Sequence, residues 1–362
     1  MNFNTIVRIV AGAVIMLAVF QWTTGGVSTI TEGWRNTNSE SPSEAGALLA
    51  AEAKNVKGAN VLGLPTPHDP KRPGSILLHG GGRINDDVFN RFVELAGGKK
   101  ARIVFIPSAG FRPRDYDSEK DLLAHLNQRY SSWVSLKPEG KIESFQFLYT
   151  DDPDEADDKE FVEPLESATG VWFSGGSQER LNYRFVGEYP RQTRFQVALK
   201  NVVRRGGVVG GTSAGTAAMP EIMTLYQDRD ATNSPAKVVA AHGLGLLTHA
   251  IVEQHFDARS GRLERFTGLL RDSHKLGRLA GRASAGAHMM GLAVEEPAAL
   301  VIQDDRLEVL GGGDAHIFIK SDADRTLTWH VLSPGDTAKL YRETVGVAAL
   351  VREELRLSRN LK

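Results

Sequence analysis

The 362-residue chain contains no cysteine. That removes disulfides, thiolate metal ligands and a cysteine nucleophile together. It also lacks a charge imbalance: 43 Lys and Arg against 44 Asp and Glu leave a net charge of −1. A nucleic-acid partner normally requires a basic footprint, and none is present. Long hydrophobic runs are scarce. The N-terminal stretch Ile9 to Phe20 holds 12 uncharged residues, short of the roughly 20 that a spanning helix needs. No internal repeat is visible. A hydrophobic content of 41% with 24% charged residues is ordinary globular composition.

The N-terminus reads as a targeting segment. Arg8 precedes the apolar stretch, and Gln21-Trp22-Thr23-Thr24-Gly25-Gly26 follows it. A basic start, a short apolar core and a small-residue exit are the layout of a secretory signal. Residues 1–24 are therefore expected to direct export, with an uncleaved membrane anchor over residues 6–22 as the alternative. Residues 25–74 read as a largely irregular linker, polar at Ser39 to Glu44 and extended by Pro65, Pro67, Pro70 and Pro73. A catalytic domain is expected over 75–298, and C-terminal strands and a helix over 299–362.

The catalytic region alternates short apolar runs with helical patterns. Ser75 to His79, Arg102 to Pro107, Ser144 to Tyr149 and Val171 to Phe173 read as strands. Ser118-x-x-Asp121 reads as a cap opening a helix with Leu122 and Leu126 inward. A helix near Arg191 to Val203 precedes Val208 and Val209. This order predicts an α/β fold with a doubly wound, mostly parallel sheet. In such sheets ligands collect at the carboxyl ends of strands, where the loops at Gly80, Gly175 and Gly211 begin. Beyond Ala298, four short strand patterns predict a small C-terminal β extension, and Val345 to Leu357 predicts a terminal helix.

The chemistry centres on Gly211-Thr212-Ser213-Ala214-Gly215. A strand leads into a serine flanked two residues each way by glycine, and small residues then start a helix. This is the layout of a nucleophile elbow, in which a strained turn exposes the serine oxygen at a helix N-terminus. A second Ser-Ala-Gly, at Ser284, has Arg282 in place of the first glycine. A serine nucleophile needs a base. His255 ends the apolar run Ala250 to Gln254 and is the leading candidate, expected at the same sheet edge as the elbow. His79 is its competitor. Arg259, Arg262 and Arg265 follow at spacings of three, a stripe suited to an anionic substrate if the segment is helical.

Four motifs in order carry a family resemblance. Gly175-Gly176-Ser177-Gln178-x-Arg180-Leu181, the elbow, Gln254-His255-Phe256 with its arginines, and Gly291 to Glu296 together resemble the cyanophycinase and aspartyl-dipeptidase family of serine peptidases. The resemblance covers roughly Ile76 to Val309 and implies a sheet like that of class I glutamine amidotransferases. Ser213 then matches the nucleophile, His255 the general base and Glu296 the carboxylate that orients it. The N–H groups of Gly176 and Ala214 match the oxyanion hole. Gln178, Gln254, Arg259, Arg262 and Arg265 match positions that hold β-linked aspartyl-arginine units. The chain departs from the family pattern at Ser177, at Glu253, by one extra residue between Arg259 and Arg262, and at Pro297. Because the interval from His255 to the acid is also lengthened, Glu295 stands as the alternative third member. The expected partner is a peptide or cyanophycin-like substrate, with a homodimer compatible and no metal or cofactor implied. Membrane attachment is expected only through the N-terminus.

Overall fold

Strands form here where short runs are buried on both faces. Ile76, Leu77 and Leu78 are each fully buried, as are Val208 and Val209, which suits central strands covered above and below. The structure is a computed structural model that describes residues 34–36, 60–225, 239–259, 261–320, 327–342 and 348–354. The signal or anchor read at 1–24, and most of the 25–74 linker, lie outside the described residues. No described helix is long and apolar enough to cross a membrane.

The strands, in chain order, are β1 (Trp34–Asn36), β2 (Ser75–His79), β3 (Arg102–Ile106), β4 (Ser144–Phe147), β5 (Gly170–Phe173), β6 (Val208–Thr212), β7 (Ile222–Leu225) and β8 (Val239–His242). They continue as β9 (Ala250–Glu253), β10 (Met290–Val294), β11 (Ala298–Gln303), β12 (Arg306–Gly311), β13 (Ala315–Lys320), β14 (Leu327–Leu332), β15 (Thr337–Arg342) and β16 (Ala348–Glu354). A nine-stranded sheet runs in the order β16-β15-β12-β11-β2-β6-β5-β3-β4. Its half from β2 to β4 is parallel. The half from β11 outward is antiparallel and joins through β2. The expected α/β class with a parallel central sheet is therefore present.

Helices cover the parallel half. The one over Glu119–Arg129 is capped as expected, Ser118 Oγ accepting the Asp121 N–H at 3.2 Å. The one over Arg194–Arg204 starts three residues later than expected. Thr193 and Gln196 form a reciprocal capping box there, which fixes the first turn. Under the sheet, Phe92 meets Trp133 and Trp172 edge-on at 5.5 and 5.0 Å between centroids.

Two expectations are corrected. The terminal helix is absent where it is described: residues 348–354 form β16, paired antiparallel with β15. Ala348-Ala349-Leu350-Val351 is a short apolar run that fits either period, and the open hydrogen-bonding edge of β15 decides it. The second correction concerns β9, expected beside the elbow in one sheet. Instead β9 and β10 pair in parallel within a separate five-stranded sheet, ordered β1-β14-β13-β10-β9. The strands after Ala298 are likewise shared between both sheets. Fully buried β9 and β10 resemble any central strand, so their sequences do not say which sheet they join.

Candidate active site

Ser213 sits immediately after β6 with φ 54° and ψ −115°, and the short helix Ala214–Ala217 follows. An L-residue holds such a conformation only when its surroundings over-determine it. Here the Ser213 N–H donates to the carbonyl of His79, at the end of neighbouring β2, at 3.1 Å. Thr216 Oγ1 lies 2.7 Å from that carbonyl and 2.6 Å from Gly211 O, tying strand and helix together. Gly215 packs on β5 so closely that a Cβ would come within 2.6 Å of Phe173 O. The glycine spacing around the serine is thus a packing requirement.

His255 approaches from the other sheet. It directly follows β9 by one residue, takes φ 50° and donates its backbone N–H to Gly80 O at 2.8 Å. Its Nε2 lies 2.7 Å from Ser213 Oγ. Its Nδ1 contacts Glu296 Oε1, and the Glu296 N–H donates to Asp257 Oδ1 at 2.9 Å. A carboxylate on Nδ1 holds the proton there and leaves the Nε2 lone pair facing the serine. The imidazole lies against the loop after β2: a Cβ on Gly81 would be 2.1 Å from His255 Cε1. That loop therefore shapes the site more than its place after a strand suggested.

Burial is the main cause that lowers the His255 pKa below 6.5, opposed by its hydrogen bond to Glu296 and reinforced by the Arg259 charge. The imidazole is accordingly neutral near pH 7, the form that accepts a proton. Lowering the pH through this depressed value converts it to imidazolium and removes the lone pair that faces Ser213 Oγ. The acid limb of kcat/KM is expected to fall below pH 6.5, read from a pH–rate profile; a limb centred above 6.5 would contradict this assignment.

The other expected residues separate into distinct environments. His79 is fully buried, with Nδ1 2.8 Å from Thr212 Oγ1 and its pKa lowered to about 4, chiefly by burial. It stays neutral and braces the strand end. Glu295, the alternative acid, is occupied elsewhere. It accepts from His316 Nε2 at 2.8 Å and from the Asp314 N–H at 3.0 Å. His316 Nδ1 in turn accepts from Trp329 Nε1 at 3.1 Å, which fixes the tautomer that donates to Glu295. Glu296 alone of the pair meets His255.

Gly176 is exposed and Ala214 is the first residue of its helix. Neither N–H is taken by a backbone carbonyl among the described residues. A Cβ built on the adjoining Gly175 would lie 3.3 Å from Ser213 Cβ, so the Gly175-Gly176 loop closes over the serine. Gln178 is buried and donates Nε2 to Thr224 O at 2.9 Å, linking its helix to β7. Gln254 is buried as well, and its Oε1 finds no partner among the described residues.

The arginine stripe does not form. Gly261, with φ 77°, caps the helix Arg262–Arg271, so Arg259 lies outside it. Arg259 is exposed and Arg265 half-buried. Arg262 is 2% exposed and contacts both Glu253 Oε1 and Gln254 O. The expected substrate contact at Arg262 is therefore corrected to an internal one. Glu253 is fully buried, and burial pushes its carboxyl up to about 7 against the pull of Arg262. The two residues brace the strand end that carries His255. The glutamate directly before Gln254-His255 was the available signal, but its burial is not visible in sequence.

The model of peptidase family S51 matches residues 76–310, a span holding every site residue from the glycine loop to Glu296. The chain belongs to peptidase family S51. It is 28% identical over 308 residues to the cyanophycinase of a Nostoc species, covering 79% of this chain and 92% of that protein. With the cyanophycinase of Geminocystis herdmanii it is 29% identical over 248 residues, covering 67% and 79%. Among solved structures, a peptidase from an acI-B1 Actinobacterium aligns with a TM-score of 0.48 at 20% identity, covering 74% of this chain and 97% of that one. As a cyanophycinase-like member of the S51 family, the chain is a serine-type peptidase.

Proposed function

We propose that the chain is an exported peptidase that cuts the aspartate backbone of a cyanophycin-like polymer, releasing β-aspartyl-arginine through an acyl-enzyme. The observation that carries the reading is the 2.7 Å contact between Ser213 Oγ and His255 Nε2, with Glu296 on the opposite ring nitrogen. His255 takes the serine proton as Ser213 attacks the backbone carbonyl. The N–H groups of Gly176 and Ala214 receive the oxyanion, each contributing about 3–4 kcal/mol in comparable sites. The imidazolium, stabilised by Glu296, then protonates the leaving amine. Water deprotonated by His255 releases the acyl group.

Arg259 is the exposed cation of the three, close enough for its charge to act on His255. It is assigned to the carboxylate of the unit being cut, with Gln254 Oε1 as a buried acceptor nearby in sequence. The burial of Arg262 leaves fewer cations for an extended ligand, which keeps an aspartyl-dipeptidase-like exopeptidase as a second reading. The test is incubation of the protein with cyanophycin and identification of products by mass. Release of β-aspartyl-arginine, reduced roughly tenfold or more in kcat/KM by Arg259→Ala, is expected from the loss of one charge-assisted contact. Cleavage of aspartyl dipeptides alone, unaffected by Arg259→Ala, would favour the exopeptidase.

A further inference from the structure

Beside Ser213 a cavity of about 570 Å³ opens toward β3 and β5. Ser213 is part of its lining, whereas Gln178, Gln254 and Arg259 are not. Its charged lining consists of Arg83, Asp86 and Arg129. Arg83 follows the glycine loop on which His255 rests, and Asp86 opens the helix Asp86–Leu95. Arg129 ends the helix Glu119–Arg129. All three side chains are exposed, and none forms an ion pair among the described residues. Arg129 is nevertheless held in place, its guanidinium 5.8 Å from the Phe111 centroid and 5.9 Å from that of Tyr130. Tyr130 and Trp133 supply aromatic wall.

Two cations, one carboxylate and aromatic faces make a site for a ligand that carries both signs of charge. Resting on the function proposed above, the substrate offers such a group at every unit. When the α-amino group of arginine is acylated by an aspartate side chain, its carboxylate and its guanidinium both remain free. We infer that this cavity is a second substrate subsite, holding the zwitterionic arginyl branch of the unit adjoining the one that is cut. Arg83 and Arg129 grip the branch carboxylate, for which the guanidinium fork is suited. Asp86 receives its guanidinium by charge. Because Arg129 already lies over two aromatic rings, less side-chain freedom is lost on binding.

The test uses full-length Ser213→Ala protein and a three-unit β-aspartyl-arginine oligomer, with binding followed by tryptophan emission. Amidating the branch carboxylates is expected to weaken binding about tenfold, as loss of a charge-assisted contact should. Adding Arg83→Gln and Arg129→Gln should erase most of that penalty, while adding Arg259→Gln should preserve part of it. Replacing the branch arginines by citrulline should weaken binding to the Ser213→Ala protein, but not after Asp86→Asn. No amidation penalty, or one lost only with Arg259→Gln, overturns the subsite. Retained labelling of Ser213 by a serine-directed phosphonate, in Arg83→Gln/Arg129→Gln protein, shows that the variant is folded. Hydrolysis of the same oligomer by wild-type protein is measured in parallel. Failure of hydrolysis with the binding pattern intact overturns the proposed reaction and leaves the subsite. Hydrolysis without the pattern does the reverse.

Discussion

In the reaction proposed above, Ser213→Ala is expected to lower kcat/KM toward cyanophycin by about 10⁴-fold or more, because removing the nucleophile from an acyl-transfer site removes most of its rate enhancement. The fold should survive the change. Ser213 contributes a single side-chain contact, to His255, whereas the turn is held by backbone and by Thr216. Relief of the φ 54° conformation is not expected either, since alanine at this position faces the same steric conflict. The measurement is release of β-aspartyl-arginine under saturating enzyme, with thermal unfolding run beside it. Activity within a factor of about 10 of wild type would show that another group carries the attack.

How much of this site the sequence disclosed follows from which signals are local. The strand–turn–helix around Ser213 was legible because its requirements lie within five residues: a strand end, a turn that no larger side chain tolerates, and a helix start. The capped helix at Ser118 was legible for the same reason. His255 stands out in the sequence because it ends an apolar run, but the run does not say which sheet carries it. It reaches Ser213 from a second sheet, guided by the Gly80 carbonyl and seated on Gly81. Long-range pairing of β9 with β10, rather than with β6, leaves no mark in a run such as Ile251-Val252. The choice between Glu295 and Glu296 also turned on a distant group. His316, on β13, claims Glu295, and no spacing rule connects those positions. The arginines show the converse. Their regular spacing suggests one helical stripe, but the helix starts only after Gly261, leaving Arg259 outside it and Arg262 buried within it.

Arg262 accordingly gives the second large effect, and it should appear in stability before it appears in substrate affinity. Removing one partner of a buried ion pair typically costs about 3–5 kcal/mol, because the other charge stays buried without its counterpart. Arg262→Ala is expected to lower the stability of the protein by that order, read as a drop in Tm. The pH dependence identifies the cause. The Glu253 carboxyl is already raised to about 7 by burial, and Arg262 is among the groups that hold it down. Without Arg262 its folded-state pKa should rise further above the ordinary value of 4.5. An acid with a raised folded-state pKa favours the folded state while protonated, and that contribution is lost as pH rises through the folded value. The Tm deficit of Arg262→Ala should therefore shrink toward pH 5 and widen from pH 7 upward. Glu253→Gln combined with Arg262→Met, which removes both charges with little change in volume, should recover much of the loss. A deficit that is constant from pH 5 to pH 8 would show that Glu253 is not the group left exposed to the penalty. A rise in KM without any loss of Tm would return Arg262 to the substrate, and the brace behind His255 would then have to be sought elsewhere.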